Sequence, residues 1–265
     1  MSNLNTSSIP PEHVTTLAGF IDGVYLRWVK QFKRPATAKS ARDLWEDHLK
    51  PATSRYSKSM KDVRTCDVQG WLDQVAAGRD LSRNTLKHVK SALSGYFSLA
   101  KRLGYFDGAN PVAGTAISPT AREPEETHAY SLEEVQTMLV VLLEPAATIF
   151  SVAAFAGLRL GELQGLNWED YRGGALWVSR SVWNGHVNEP KTRKSKAPVP
   201  VIKQLAQRLE MHRLLEMRRL KVESLQTGPM FANSIDPKKD AGAASGRLNL
   251  NNKLGRVILP ALNRC

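Results

Sequence analysis

GLRLGELQGLNWEDY, residues 157–171, is the stretch on which the reading turns. Ahead of it, Pro145 to Ala156 is an apolar run of helical length, and Gly157 is placed to end that helix in a left-handed cap. A short helix restarts within Leu158–Leu163 and ends near Leu166. Arg159 stands among Ala, Phe, Leu and Gly, so it is expected to be partly buried. A guanidinium there needs a partner or an anionic ligand. Glu162 lies three residues on, on the same helical face, and can hold it. Two readings stay open: a pair that only locks the helix, or a planar fork held ready for a phosphate.

Downstream, ALWVSRSVW (175–183) is β-branched and aromatic and reads as a strand. Asn184–Gly185 is a strong hairpin signal, with His186 to Lys191 as partner strand. A basic turn, Thr192 to Lys196, precedes a third short strand at Val199–Val201. Residues 203–223 return to helix, with Leu205, Leu209, Leu215 and Leu220 inward and a basic outer face. A loop over 228–247 leads to a last helical stretch, 248–262. Trp168 and Trp177 read as core aromatics. Upstream, Ser131 and Glu134 form a capping box opening a helix through Val135, Met138, Leu139 and Leu142.

The N-terminal block is helical throughout. Apolar residues recur at helical spacing from Val14 to Phe32. A second helix is expected from Thr37 to Leu49, stopped by Pro51. A third runs from Thr65 to Ala77. The fourth opens at Ser82 and carries Leu86, Val89, Leu93, Tyr96, Phe97 and Ala100 toward Gly104. Between 107 and 128 the periodicity fails and Pro111, Pro119 and Pro124 appear. The expected organisation is a flexible arm (1–12), an all-helical domain (13–106), a linker (107–128) and an α+β domain (129–265). The fold class is mainly α with a small antiparallel sheet.

The 265 residues carry 37 Lys+Arg against 25 Asp+Glu, a formal charge of +12. The charge is blocked: −2 over 1–26, +10 over 27–106, −7 over 107–189 and +11 over 190–265. Two basic blocks flanking an acidic middle are either solvated faces or two polyphosphate-contacting surfaces. Only two cysteines occur, Cys66 and Cys265, which build neither a disulfide framework nor a zinc site, so a reducing intracellular setting is the default. No apolar run is long enough to span a bilayer, and no signal peptide is seen.

Lys191 ends the second hairpin strand in NEPKTRKSKAPVPV (188–201). Lysines in such turns are usually solvated, but one on a short hairpin can reach over a bound strand and donate a proton. Lys194 and Lys196 compete for that role, whereas Arg193 stays protonated and is a poor donor. On the fourth helix Arg83, Lys87 and Lys90 read as a plain solvated face or, by what the family resemblance below implies, as candidate DNA contacts.

These residues resemble the phage-integrase-type tyrosine recombinases. GLRLGELQGLNWEDY is similar to that family's first active-site box, an Arg-x-x-Glu-Leu run followed by Leu-x-Trp-x-Asp. Lys191–Thr192 through Val199–Pro200 is similar to its Lys-Thr turn, with slightly longer spacing. LWEDHLKP (44–51), KDVRTCDVQGWLDQV (61–75) and LSRNTLKHVKSALSGYFSLAKRLGYFDGANPV (81–112) resemble its core-binding domain, a SAM-like helical fold. The resemblance implies a two-domain clamp on double-stranded DNA, self-association on DNA and a nucleoid-associated cytoplasmic setting. It implies strand breakage by tyrosine attack and rejoining through a 3′-phosphotyrosyl link, with no metal or nucleotide cofactor. Arg159 would stabilise the phosphoryl oxygens, Lys191 would protonate the leaving 5′-oxygen, and Glu162 would support Arg159.

The family's second box, a His/Lys-x-x-Arg, a further His or Trp and a tyrosine nucleophile, has no match here. His212 is followed three residues later by Leu215, and no tyrosine follows Tyr171. No residue is assigned as nucleophile. The catalytic domain is therefore expected to be incomplete: a C-terminally truncated recombinase, predicted inactive alone, or a short relative that occupies recombination sites without cutting. A helical RNA-associated protein is the remaining class.

Overall fold

The computed structural model describes residues 16–53, 58–189, 197–232 and 246–262. Two compact units divide the chain, Met1–Thr127 and His128–Cys265. Fold and class agree with the sequence reading: helices dominate, and one small antiparallel sheet and a separate hairpin lie in the second unit.

Among its described residues the first unit packs the α-helices α1 (Leu17–Phe20), α2 (Leu26–Phe32), α3 (Pro35–Leu44), α4 (Lys50–Thr53), α5 (Thr65–Gly78) and α6 (Arg83–Arg102). Ser82 caps α6 by accepting from the Thr85 N–H at 3.3 Å. Its apolar residues return every three or four positions, so Leu86, Val89, Leu93, Tyr96 and Phe97 form one buried face. They meet Phe20, Ile21 and Trp45 in a single core. Burying each such side chain contributes roughly 1.5–3 kcal/mol. The Trp45 indole N–H donates to Asp22 at 2.7 Å, so its polar edge is satisfied.

Pro51 does not stop the second helix. A π-turn, Trp45–Leu49, joins α3 to α4, and the Lys50 N–H reaches back five residues to the Trp45 carbonyl. Proline has no N–H and its ring crowds the carbonyl four residues back; widening the preceding turn relieves that crowding. The same solution recurs before Pro260, where a π-turn, Leu254–Ile258, joins α11 (Leu250–Lys253) to α12 (Leu259–Leu262).

Residues 105–117 are packed into the first unit. Phe106 meets Phe97 edge to face at 5.3 Å. Val112 is buried, and the Asn110 amide donates to the Ser94 carbonyl at 3.1 Å. Gln69 of α5 accepts from the Ala116 N–H at 2.9 Å.

In the second unit, α7 (Leu132–Val141) opens on the Ser131–Glu134 capping box. It is followed by α8 (Ala146–Ala156) and α9 (Leu160–Gly165). The strand expected over 175–183 is broken. Its first part, β2 (Ala175–Trp177), pairs with β1 (Tyr171–Arg172) and β5 (Pro198–Pro200). Its second part, β3 (Ser181–Trp183), pairs with β4 (His186–Asn188) through Asn184 (φ +45°) and Gly185 (φ +77°). Both turn residues sit in the left-handed region that a two-residue hairpin demands. Helix α10 (Lys203–Leu220) packs on α8 through Leu205 and Leu209. Among the described residues no helix is long and apolar enough to cross a membrane.

Two core expectations are corrected. Leu215 is 38% exposed and Leu220 is only partly buried, because the inward face of α10 is completed by His212. Trp177 is also 38% exposed, under the Arg172 guanidinium at 5.1 Å, whereas Trp168 is buried as expected.

Candidate functional site

The site is built at the break between α8 and α9. Gly157 adopts φ +62° and returns its N–H to the Ala153 carbonyl, ending α8. Arg159 is extended and serves as the N-cap of α9. Glu162, at the third position of α9, turns back on it. Glu162 Oε2 accepts the Arg159 backbone N–H at 3.0 Å, and Oε1 accepts from Arg159 Nη1 at 2.9 Å.

The burial is split between the partners. The Arg159 side chain is 69% exposed and that of Glu162 only 7%. The expectation of a partly buried arginine is thus corrected: the carboxylate lies inside, and the guanidinium projects at the surface from it. A buried carboxylate requires charge and hydrogen bonds, and Arg159 supplies both.

Glycines set how closely α9 approaches the hairpin. A Cβ on Gly165 would stand 2.8 Å from the Arg180 carbonyl oxygen. One on Gly161 would stand 2.6 Å from Ser181 Oγ and 3.0 Å from the Val182 carbonyl oxygen. These two residues, one helical turn apart, lay the α9 backbone against β3.

The far end of α9 is held by residues that the sequence reading did not single out. Arg247 donates through Nη1 to the Gln164 and Leu166 carbonyls, both at 3.1 Å, and through Nη2 to Asn167 Oδ1 at 2.5 Å. Burial, with Arg180 nearby, lowers the Arg247 pKa from its ordinary value. Asp170 accepts the Asn167 N–H at 2.8 Å and pairs with Arg180 at 3.0 Å. Asp170 could be found from the Trp-x-Asp spacing; Arg247, some eighty residues away in sequence, has no local signal.

Lys191 and its competitors Arg193, Lys194 and Lys196 lie outside the described residues. His212 is a core histidine. It is 2% exposed, lies between Trp168 and Phe231, and places Nε2 3.0 Å from the Met230 carbonyl.

In the first unit, Arg83 and Lys90 are engaged internally. Arg83 Nε meets Glu123 at 2.6 Å, and its Nη2 donates to the Pro119 carbonyl at 3.1 Å. Lys90 donates to the Thr115 carbonyl. Lys87 is exposed on the same helix. Among the described residues no group of His, Cys, Asp and Glu could hold a metal ion.

No family model matches the chain. A curated tyrosine recombinase XerC-like protein of Caldanaerobacter subterraneus subsp. tengcongensis is 24% identical over 228 residues, covering 78% of this chain and 56% of its own length. A Tn1549 transposon integrase, solved with a circular intermediate DNA, superposes with a TM-score of 0.66 at 16% identity over 94% of this chain and 79% of that one. A lambda integrase dimer bound to a core site gives 0.62 at 16% identity over 94% and 78%. The chain has the fold of these integrases and is similar in sequence to the curated tyrosine recombinase. It spans just over half the length of that relative.

Proposed function

We propose that the chain binds duplex DNA and presents Arg159 to one phosphodiester, as part of the active site of a tyrosine recombinase. The observation that carries this reading is the uneven burial of Arg159 and Glu162. The buried carboxylate fixes the cation while the guanidinium stays accessible, as phosphate binding requires. Glu162 Oε1 accepts from Nη1 at 2.9 Å and so fixes where the guanidinium points.

In this reaction a tyrosine hydroxyl attacks phosphorus and the bond to the 5′-oxygen breaks. Arg159 neutralises charge building on the phosphoryl oxygens. Lys191, three residues beyond the end of β4 in sequence, gives its proton to the departing 5′-oxygen. The DNA relatives lend support, since the matched integrases are solved on DNA. The basic blocks at 27–106 and 190–265 supply phosphate attraction. Lys87 contacts the backbone directly; Arg83 and Lys90 join it on DNA only by releasing their present partners.

Residues 172–265 contain no tyrosine, so these 265 residues bind without cutting. The test is a nicked suicide duplex carrying the target site. Salt-matched competition should favour duplex DNA over structured RNA, with no covalent adduct. An adduct would overturn the assignment of no nucleophile, and equal affinity for RNA would overturn the DNA reading.

A further inference from the structure

Helix α10 carries a second apolar stripe on the face opposite its core. Met211 is 58% exposed, Leu214 51% and Leu215 38%. Met211 lies about one turn before both Leu214 and Leu215, and Arg218 lies about one turn after them. The stripe ends in opposite charges. Glu210 flanks it on the N-terminal side, half exposed and 3.4 Å from Arg213. On the C-terminal side Arg218 is exposed with no ion partner among the described residues, and Lys221 follows in a left-handed cap.

We propose that α10 is a self-association surface, occupied by α10 of a second copy of this chain in antiparallel orientation. The charges choose the occupant. Glu210 and Arg218 each lie about one helical turn from Leu214, on either side of it. In a two-fold antiparallel pair crossing at Leu214, Glu210 of each copy stands level with Arg218 of the other. The two contacts are made by symmetry, the leucines meet at the centre, and the helix dipoles oppose. A parallel pair would set Glu210 against Glu210 and Arg218 against Arg218. One helix face is a small interface, so the dimer is weak and concentration-dependent.

The pairing needs no DNA and stands or falls separately from the recombinase reading. Sedimentation equilibrium of the full chain without DNA tests it, with circular dichroism to confirm folding. The wild type should show a reversible monomer–dimer equilibrium. Leu214→Asp should be monomeric. Glu210→Arg should weaken the dimer about tenfold, and Glu210→Arg with Arg218→Glu should restore it to within about threefold of wild type. A monomer at every concentration overturns the proposal, as does a dimer that neither Leu214→Asp nor Glu210→Arg weakens.

Discussion

Glu162 holds Arg159 at two points, taking its backbone N–H at 3.0 Å and its guanidinium at 2.9 Å. One buried carboxylate therefore fixes both where α9 begins and where the cation points. This double duty separates the effects of two substitutions. Glu162→Gln keeps an acceptor for the N–H and should change unfolding free energy by less than about 1 kcal/mol. Glu162→Ala loses the helix cap and should cost about 2 kcal/mol. Urea denaturation followed by circular dichroism measures both, and equal losses would deny the capping role.

Glycine in a helix usually gives way to alanine with a gain in stability. Gly70, exposed in α5 with open space around its Cβ position, should follow that rule, and Gly70→Ala should stabilise the first unit by about 0.5–1 kcal/mol. Gly165→Ala should do the opposite and cost about 1–3 kcal/mol, because the new methyl meets the backbone of Arg180. Thermal unfolding of the two variants should move in opposite directions.

Asp67 gives the first unit an acid-sensitive cap. Lys58 at 2.5 Å, then the Arg64 N–H at 2.9 Å, hold its carboxyl below the ordinary aspartate value. A pKa lowered on folding gives stability that is present above the unfolded value, about 4, and is lost as pH falls through the folded one. Asp67→Asn should therefore lose about 1 kcal/mol at neutral pH and very little near pH 2. A loss that does not shrink with acid would assign the effect to something other than the charge.

His212 is the histidine that a search for a second catalytic box finds first, and its surroundings give it a packing role. His212→Ala should destabilise the second unit by about 2–4 kcal/mol, from the cavity and the freed Met230 carbonyl. Duplex affinity of the folded fraction should be unchanged. A tenfold loss of DNA affinity with normal stability would return His212 to the binding machinery.

Local signals were legible in the sequence. Ser82, Ser131 and Gly157 all sit at the helix ends their chemistry favours, and Asn184–Gly185 makes the turn it encodes. The Arg159–Glu162 pair followed from a three-residue spacing. What failed depends on distant residues. Periodicity assigned Leu215 inward, but Phe231 and Trp168 close around His212 instead. Pro51 read as a stop because a π-turn leaves no mark in composition. Arg247 went unseen because its acceptors are backbone carbonyls, which every sequence has.

The central claim is that the exposed Arg159 guanidinium binds a DNA phosphate. It is tested by the salt dependence of duplex affinity for wild type and Arg159→Ala. Each phosphate contact contributes a slope of about 0.9 in log affinity against log salt. The account predicts that Arg159→Ala flattens the slope by about one contact while the chain stays folded. Identical slopes and affinities for the two proteins would contradict it.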